Sequence, residues 1–218
     1  MNIYKKNLDQ LKQNFVYNET MEHDACGVGL VASTEGVKSR KVVEYGIQAL
    51  KAVWHRGAID ADGKTGDGAG IHIEIPKDFF IEKIEITGHR HDDSDLCVGM
   101  IFLPRNDYQG QEQCRIIVES ELTKKNFNIY GWRQVPVNPS VLGEKAENTR
   151  PEITQVLFKH NDKKIVGKDL ERVLYETRRK IEKEALNNQL NGFYILSLIH
   201  ISEPTRPRLI SYAVFCLK

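Results

Sequence analysis

The stretch Asp24-Ala25-Cys26-Gly27-Val28-Gly29-Leu30 decides how the rest of this chain is interpreted. Glycines follow Cys26 one and three places later, and the apolar run 28–32 predicts a buried strand. Glycine has no side chain and tolerates positive φ, so Gly27 and Gly29 leave space around the Cys26 sulfur. Two interpretations are open at this point: Cys26 is a small buried core residue, as free cysteines commonly are, or it is a reactive thiol.

Charge and composition limit the classes of partner that we expect for this chain. The chain has 218 residues, enough for a domain with a sizeable core. Lys and Arg number 31 against 30 Asp and Glu, so the net charge of +1 does not favour nucleic acid or an anionic membrane. No apolar run approaches the ~18 residues of a membrane span, and residues 1–15 lack the apolar core of a secretory signal. We therefore expect no nucleic-acid partner and no membrane partner.

The 4 cysteines are widely separated and include no CxxC pair. This spacing is wrong for a structural zinc site and too sparse for a disulfide scaffold. It predicts free thiols in a cytoplasmic protein and no metal site. The cysteines are Cys26, Cys97, Cys114 and Cys216.

Hydrophobic periodicity predicts alternating helices and strands. In the helix expected at 39–54, Ser39 is the N-cap and Val43, Ile47 and Leu50 share one face. Because no dinucleotide-binding signature accompanies the alternation, the predicted fold class is α+β, a layered sandwich. Further strands are predicted at 71–75, 96–103, 128–137, 153–159 and from 192, further helices at 109–127 and 169–187, and a polar connection at 77–93.

Two polar segments could be mistaken for binding sites. The segment 60–70 is rich in glycine, yet it has no phosphate-binding glycine motif, and its aspartates would repel a phosphate. It also lacks the terminal Glu of an EF-hand calcium loop. His89 and His91 lie two residues apart in a charged segment, which predicts a solvated turn more readily than a metal site.

Composition changes abruptly from Leu196 onward. The segment 196–206, LSLIHISEPTR, resembles the translation of a transposase-type sequencing-library adapter. The segment 210–217, ISYAVFCL, resembles the far end of the same adapter. We therefore predict that residues 196–218 are adapter read-through and not native protein, and that they belong outside any reasoning about the fold.

Three motifs in order carry a resemblance to a known family: Cys26-Gly-Val-Gly29, His55-Arg-Gly-Ala58 and Gly66-Asp-Gly-Ala-Gly70. The block 131–136 and the strand 151–155 extend it, with Trp132 and Arg133 expected to be structural. The chain resembles the glutaminase domain of glutamate synthases, which are class II glutamine amidotransferases. The resemblance implies an α+β fold, a four-layer αββα sandwich of the N-terminal-nucleophile hydrolase type, formed by residues 26–195 and incomplete at its C-terminus.

The same resemblance implies the chemistry. Residues 1–25 would be a propeptide-like leader, cleaved between Ala25 and Cys26, and activity would be absent until that bond breaks. Cys26 would then be the catalytic nucleophile, and its own α-amino group the general base. The substrate would be glutamine, hydrolysed through a cysteine thioester to glutamate and ammonia. Gly27 and Arg56 would support the site, which needs no metal.

In the complete enzyme of this family, ammonia would add to 2-oxoglutarate and be reduced through FMN and an iron–sulfur cluster. The electrons would come from a small reductase subunit or from ferredoxin. None of these cofactors is expected in the present residues. The family's Asn-Gly oxyanion hole would lie beyond the adapter-like boundary, and we do not assign that role to Asn191-Gly192. The fragment itself is therefore expected to be inactive.

Two alternatives stay open. One is another class II amidotransferase, of the amidophosphoribosyl or glucosamine-phosphate type, although the long leader and the 66–70 motif favour glutamate synthase. The other is a non-catalytic metal or redox module, against which the isolated spacing of its ligands argues. Its ligands would be Cys26, Cys97, Cys114, His89 and His91.

Overall fold

A computed structural model describes residues 6, 29–36, 39–53, 59–66, 68–73, 75–92, 94–197 and 214–216. In chain order, the elements are α1 (Arg40–Ala52), β1 (Gly70–His72), α2 (Lys77–Ile86), β2 (Leu96–Leu103), α3 (Tyr108–Lys124), β3 (Phe127–Gln134), a 3₁₀ helix (Pro139–Val141), α4 (Glu144–Thr149), β4 (Glu152–His160), α5 (Gly167–Asn187), β5 (Tyr194–Ser197) and β6 (Val214–Cys216).

A four-stranded antiparallel sheet, in the order β3-β4-β2-β5, forms the centre of the fold. β2 pairs with β4 along its whole length, from Leu96 opposite Lys159 to Leu103 opposite Glu152. All eight residues of β2 are buried, so both faces of the sheet are covered at its centre.

One face of the sheet packs against α3 and α5. Alternate residues of β2 and β4 point toward these helices. Each helix in turn packs apolar residues at helical spacing against the sheet. This helix-side core comprises Cys97, Ile101, Leu103, Cys114, Val118, Leu122, Phe127, Val156, Phe158, Leu170, Leu174, Ile181 and Ile195. The α+β class expected from the sequence is confirmed by this arrangement.

The opposite face of the sheet contacts α2. Phe80 and Ile84, one helical turn apart, are fully buried against it. Burying each of two such side chains stabilises the fold by roughly 1.5–3 kcal/mol. The α2-side core comprises Phe80, Ile84, Leu96, Val98, Met100, Phe102, Tyr130 and Leu157.

A β-bulge interrupts β3 between Ile129 and Gly131, where two residues of β3 oppose one residue of β4. Gly131 has φ +147°, a conformation that side chains disfavour. Tyr130 lies in the α2-side core, and beyond the bulge Trp132 packs on the helix side, as Phe127 and Ile129 do before it.

α1 lies beside the two-stranded parallel sheet of β1 and β6. A Cβ placed on Gly46 of α1 would lie 3.3 Å from Cδ1 of Ile71, so the missing side chain permits this close contact. Among the described residues, no helix is both long and apolar enough to cross a membrane.

Most predicted elements are confirmed, including the helix that begins after Ser39 and the strand 96–103. Two predictions are wrong. Residues 29–32 of the predicted strand 28–32 are not a strand, because within the described chain they pair with no other strand, and Leu30 is 92% exposed. The segment 77–93, predicted to be a polar connection, contains the helix α2. The apolar residues of α2 are distributed around the helix and form no single stripe.

The boundaries of the predicted segments fall largely outside the described residues. The leader 1–25 is described only at residue 6, and the segment 196–218 only at 196–197 and 214–216. Leu196 and Ser197 continue β5, and Val214–Cys216 forms β6. The adapter origin of residues 196–218 stays a prediction.

Candidate functional site

The three residues predicted to form the site, Cys26, Gly27 and Arg56, lie outside the described residues. The structure does describe the chain on either side of them. Gly29 ends the cysteine motif, Val53 precedes the segment 54–58, and Ile59 follows that segment. The structure therefore describes the segments next to the predicted site residues, and their geometry follows.

α1 leads into the segment that contains Arg56. Its N-terminus is capped as predicted: the Ser39 hydroxyl accepts a hydrogen bond from the Lys41 amide. Its predicted apolar face, with Val43, Ile47 and Leu50, is only half-buried. α1 is thus a peripheral helix, and it contacts β1.

After that segment, residues 59–66 form a compact loop closed by a bridge between Ile59 and Gly66. The Asp60 amide donates to the Thr65 carbonyl at 2.7 Å. Asp62 Oδ1 accepts from the amides of Lys64 and Thr65 at 2.9 and 2.7 Å. Hydrogen bonds, first from the Thr65 hydroxyl and then from these amides, lower the pKa of Asp62 to about 2. The carboxylate thus holds the loop together.

α4 contacts the 59–66 loop from a distant part of the chain. Lys145 Nζ lies 2.6 Å from Asp60 Oδ2, and this hydrogen bond is the main reason that the pKa of Asp60 is lowered. The backbone of Gly143 approaches even more closely. A Cβ there would lie 2.6 Å from the Thr65 amide nitrogen and would overlap the Asp62 carboxylate and the Thr65 hydroxyl.

Arg133 and Trp132 make structural contacts on opposite faces of β3, consistent with the structural role expected for them. Arg133 Nη1 donates to the buried Gln155 Oε1 at 2.7 Å, and its guanidinium lies 5.1 Å from the centre of the Phe79 ring. Trp132 packs against the helix-side core and donates from Nε1 to Glu119 at 2.6 Å. Burial lowers the pKa of Arg133.

His91 is a half-buried member of a polar cluster and not part of a solvated turn. Its Nε2 lies 3.2 Å from the Ser94 carbonyl oxygen, which can only accept, so Nε2 carries the proton. Nδ1, 2.9 Å from the Tyr130 hydroxyl, then accepts from it. Burial lowers the pKa of His91 and raises the pKa of Tyr130 to about 12. His89, by contrast, is exposed as predicted.

Asp92 beside this cluster is ion-paired to two lysines. Its Oδ2 lies 2.9 Å from Lys159 Nζ and 3.1 Å from Lys163 Nζ, and its Oδ1 accepts a hydrogen bond from the Ser94 hydroxyl. The hydroxyl, followed by the two ammonium groups, holds the pKa of Asp92 well below its usual range. Sequence reasoning missed this cluster, because its partners come from β4 and the following turn, about 70 residues away.

Cys97 and Cys114 are core residues. Both are buried and free, and burial raises the pKa of the Cys114 thiol to about 11 and that of Cys97 further. Such thiols carry almost no thiolate at neutral pH and are poor nucleophiles and ligands. Within the described residues, no three His, Cys, Asp or Glu side chains gather as a metal site would require.

The described geometry does not identify the family of this chain, and similarity to known proteins does. The family profile of class-II glutamine amidotransferases matches residues 26–203 and begins at Cys26. The chain is 52% identical over 195 residues to the glutamate synthase [NADPH] large chain of Azospirillum brasilense, covering 89% of this chain and 13% of that relative. It is 38% identical over 182 residues to a ferredoxin-dependent glutamate synthase of Pyropia yezoensis, covering 81% and 11%.

A chloroplastic/mitochondrial ferredoxin-dependent glutamate synthase of Arabidopsis thaliana is 39% identical over 163 residues, covering 74% of this chain and 10% of that relative. The chain thus spans only 10–13% of the length of these three relatives.

Proposed function

The chain belongs to the class-II glutamine amidotransferases, and from that membership we propose that residues 26–195 are the glutaminase part of a glutamate synthase. In this role they hydrolyse glutamine to glutamate and ammonia for glutamate biosynthesis. The observation that carries the proposal is the family match beginning at Cys26, the residue to which the sequence motifs assign the nucleophile. The identity of 52% to a glutamate synthase large chain supports this member of the family over other amidotransferases.

The proposed fold is a four-layer αββα sandwich. The described part supplies support for two of its layers: α3 and α5 form one, and the four-stranded antiparallel sheet forms the next. The opposite face of the sheet carries large apolar residues such as Met100 and Phe102 and already contacts α2, and the proposal places the second sheet on this same side.

The proposed chemistry begins with removal of residues 1–25. This frees the α-amino group of Cys26, whose ordinary pKa of about 7.7–8.0 suits a general base. The amine takes the thiol proton, and the thiolate attacks the carboxamide carbon of glutamine. The C–N bond breaks, the leaving nitrogen takes a proton and departs as ammonia, and water hydrolyses the γ-glutamyl thioester. Gly27 leaves space beside the sulfur, and Arg56 supports the site.

The cofactors of the proposed whole enzyme, FMN and an iron–sulfur cluster, are assigned to other domains. An iron–sulfur cluster needs several cysteine thiolates together, whereas Cys97 and Cys114 are buried on separate elements. The described residues therefore do not fit the cluster. The 2-oxoglutarate site and the electron donor belong to the same proposal, and the relatives include proteins named for NADPH and for ferredoxin.

The segment 196–218 is proposed to be adapter read-through, on its sequence alone. The match of the family profile ends at residue 203, within the first part of that segment. Resequencing the gene tests this directly: the proposal predicts a different sequence after Ile195, and a clean read encoding residues 202–218 as given would overturn it.

Ammonia release from glutamine by the full-length gene product tests the proposed function. We expect the Cys26→Ala variant to lose activity entirely, because the substitution removes the proposed nucleophile and the thiols of Cys97 and Cys114 are buried. The matched control is Cys114→Ala, which removes a buried thiol and should keep the activity. A glutamine analogue with an electrophilic diazoketone should add its mass to the peptide beginning at Cys26. Glutaminase activity that survives Cys26→Ala would overturn the proposal.

A further inference from the structure

The segment 87–92, which leads from α2 toward β2, contacts the central sheet through two side chains. His91 contacts Tyr130 of β3, and Asp92 pairs with Lys159 of β4. Tyr130 is 4% exposed and belongs to the α2-side core, whereas His91 is half-buried. The first contact therefore joins a partly solvated imidazole to a tyrosine of the core.

The proton positions in this contact follow from the chemistry of its acceptors. Nε2 of His91 lies 3.2 Å from the Ser94 carbonyl oxygen, so Nε2 carries the proton of the neutral ring. Nδ1 then has only its lone pair, and the Tyr130 hydroxyl, 2.9 Å away, donates its proton to Nδ1. Among the described residues, this hydroxyl has no second acceptor.

Protonation of His91 reverses the direction of this hydrogen bond. Both ring nitrogens of an imidazolium are donors, so Nδ1–H then points at the Tyr130 oxygen, and the hydroxyl proton loses its acceptor. An unsatisfied polar group in a core costs free energy that the neutral pair does not. The burial that lowers the pKa of His91 acts in the same direction, because it also favours the neutral ring.

The neighbouring charged groups do not change charge between pH 7.5 and pH 5.5, with His89 as the case that needs a control. The pKa of Asp92 is held well below its usual range, and burial raises the pKa of Tyr130 to about 12. Ammonium groups stay charged in this range. The groups around the contact are Asp92 and His89 of the same segment, Lys77 of α2, Cys97 of β2, Tyr130 of β3 and Lys159 of β4.

We propose that His91 and Tyr130 form an acid-sensitive clasp, which holds the segment 87–92 on the sheet while His91 is neutral and opens when His91 takes up a proton. Opening exposes the ring to water, where the ordinary pKa of histidine is about 6.5. The open form therefore binds a proton more readily than the closed form, and acid favours opening. The inference does not rest on the proposed function.

Amide hydrogen exchange of the 218-residue chain, followed by NMR, tests the clasp. The probes are the amides of Thr87 and Gly88, which donate to the carbonyls of Ile84 and Glu85 at 3.1 and 2.9 Å. After correction for intrinsic exchange rates, their protection should fall several-fold between pH 7.5 and pH 5.5. The limit is about tenfold, because pH 5.5 lies about one pH unit below the ordinary pKa of histidine.

The same experiment separates local opening from global unfolding. Both probe amides should be less protected than the amides of α3 at either pH, because a local opening is enough to expose them. Probe protection that does not depend on pH would overturn the inference. Probe protection equal to that of α3 would overturn it as well, since the segment would then open only with the whole fold.

Three variants assign the effect to the clasp. His91→Gln keeps a donor and an acceptor but takes up no proton, so the fall in protection should disappear. Tyr130→Phe removes the hydroxyl and should lower probe protection several-fold already at pH 7.5. The matched control is His89→Gln, which removes the exposed imidazole two residues away and should keep the wild-type pH dependence.

A fall in the His91→Gln variant as large as in the wild type would overturn the inference. Unchanged protection in Tyr130→Phe, or loss of the pH dependence in His89→Gln, would overturn it too. The ¹⁵N chemical shifts of the His91 ring at pH 7.5 should identify Nε2 as the protonated nitrogen, and a proton on Nδ1 instead would contradict the assigned direction of the hydrogen bond.

Discussion

Gly99 lies in the middle of β2 and faces a small apolar cavity between the sheet and the helices α3 and α5. An alanine at a strand glycine usually stabilises a protein, and a nearby cavity favours the larger residue as well. At Gly99, however, the distances to neighbouring atoms predict that alanine destabilises the protein. A Cβ on Gly99 would lie 2.8 Å from Cγ1 of Val156, a β-branched side chain that is 1% exposed and has little freedom to move.

We therefore expect Gly99→Ala to lower the free energy of unfolding by about 1–3 kcal/mol, measured by urea denaturation. Val156→Ala removes the opposing methyl groups and is the companion variant. The double variant should lose less stability than the sum of the two single losses, by at least about 0.5 kcal/mol. Additive losses would show that the contact between Gly99 and Val156 is not the cause.

His91 makes stability depend on pH. Burial lowers its pKa in the folded state, opposed by the Ser94 carbonyl and Asp92 and assisted by Lys159 and Lys77. The unfolded chain has the ordinary value of about 6.5. The neutral ring thus contributes stability that is fully present above about pH 6.5 and is lost as the pH falls from there through the folded-state pKa.

Wild-type protein should accordingly lose more unfolding free energy between pH 7.5 and pH 5.5 than the His91→Gln variant does. Chemical denaturation at both pH values measures the difference, and subtracting the two proteins cancels the titration of other groups. A steeper fall in the variant than in the wild type would contradict the assigned direction of the pKa shift.

Among the elements, α3 shows how a single cap fixes the start of a helix. Asp107 is its N-cap, and its Oδ1 accepts from the Gly110 amide at 2.8 Å. The packing leaves no room for a side chain at Gly110, where a Cβ would overlap the Asp107 carboxylate. α3 also carries Cys114, Val118 and Leu122 of the helix-side core, so fraying at its start weakens the packing beyond it.

Asp107→Ala should lower the free energy of unfolding by about 1 kcal/mol, because the Gly110 amide loses its partner. Asp107→Asn is the matched control: asparagine caps as well as aspartate and should keep most of the stability. Thermal or urea unfolding of the two variants distinguishes them. An asparagine variant as unstable as the alanine variant would mean that charge, and not the cap hydrogen bond, matters here.

Elements with a continuous apolar run or one clear apolar stripe were predictable from the sequence, and others were not. β2 is such a run and α5 has such a stripe, and the structure places both close to their predicted bounds. α2 was missed because Phe79 and Ile86 are exposed on the side opposite Phe80 and Ile84, so its pattern has no single stripe. The apolar run 28–32 predicted a strand, but a strand also needs a neighbour for its backbone, which local sequence does not reveal.

At the scale of the whole molecule, sequence motifs and packing reveal different features. The proposed chemistry of Cys26 rests on the resemblance that the three motifs carry, because an N-terminal nucleophile is defined by which bond is cleaved and not by hydrophobic periodicity. The contact of α4 with the 59–66 loop joins residues about 80 positions apart. Its only local signal is a glycine before a six-residue helix, and such a glycine has many possible causes.

In the proposed function, Cys26 becomes the first residue of an active glutaminase. Intact-mass measurement of the full-length gene product, made on the same sample in which ammonia release from glutamine is assayed, is the decisive test. We expect an active protein whose mass lacks residues 1–25 and whose chain begins at Cys26. An active protein that retains residues 1–25 would overturn the proposal.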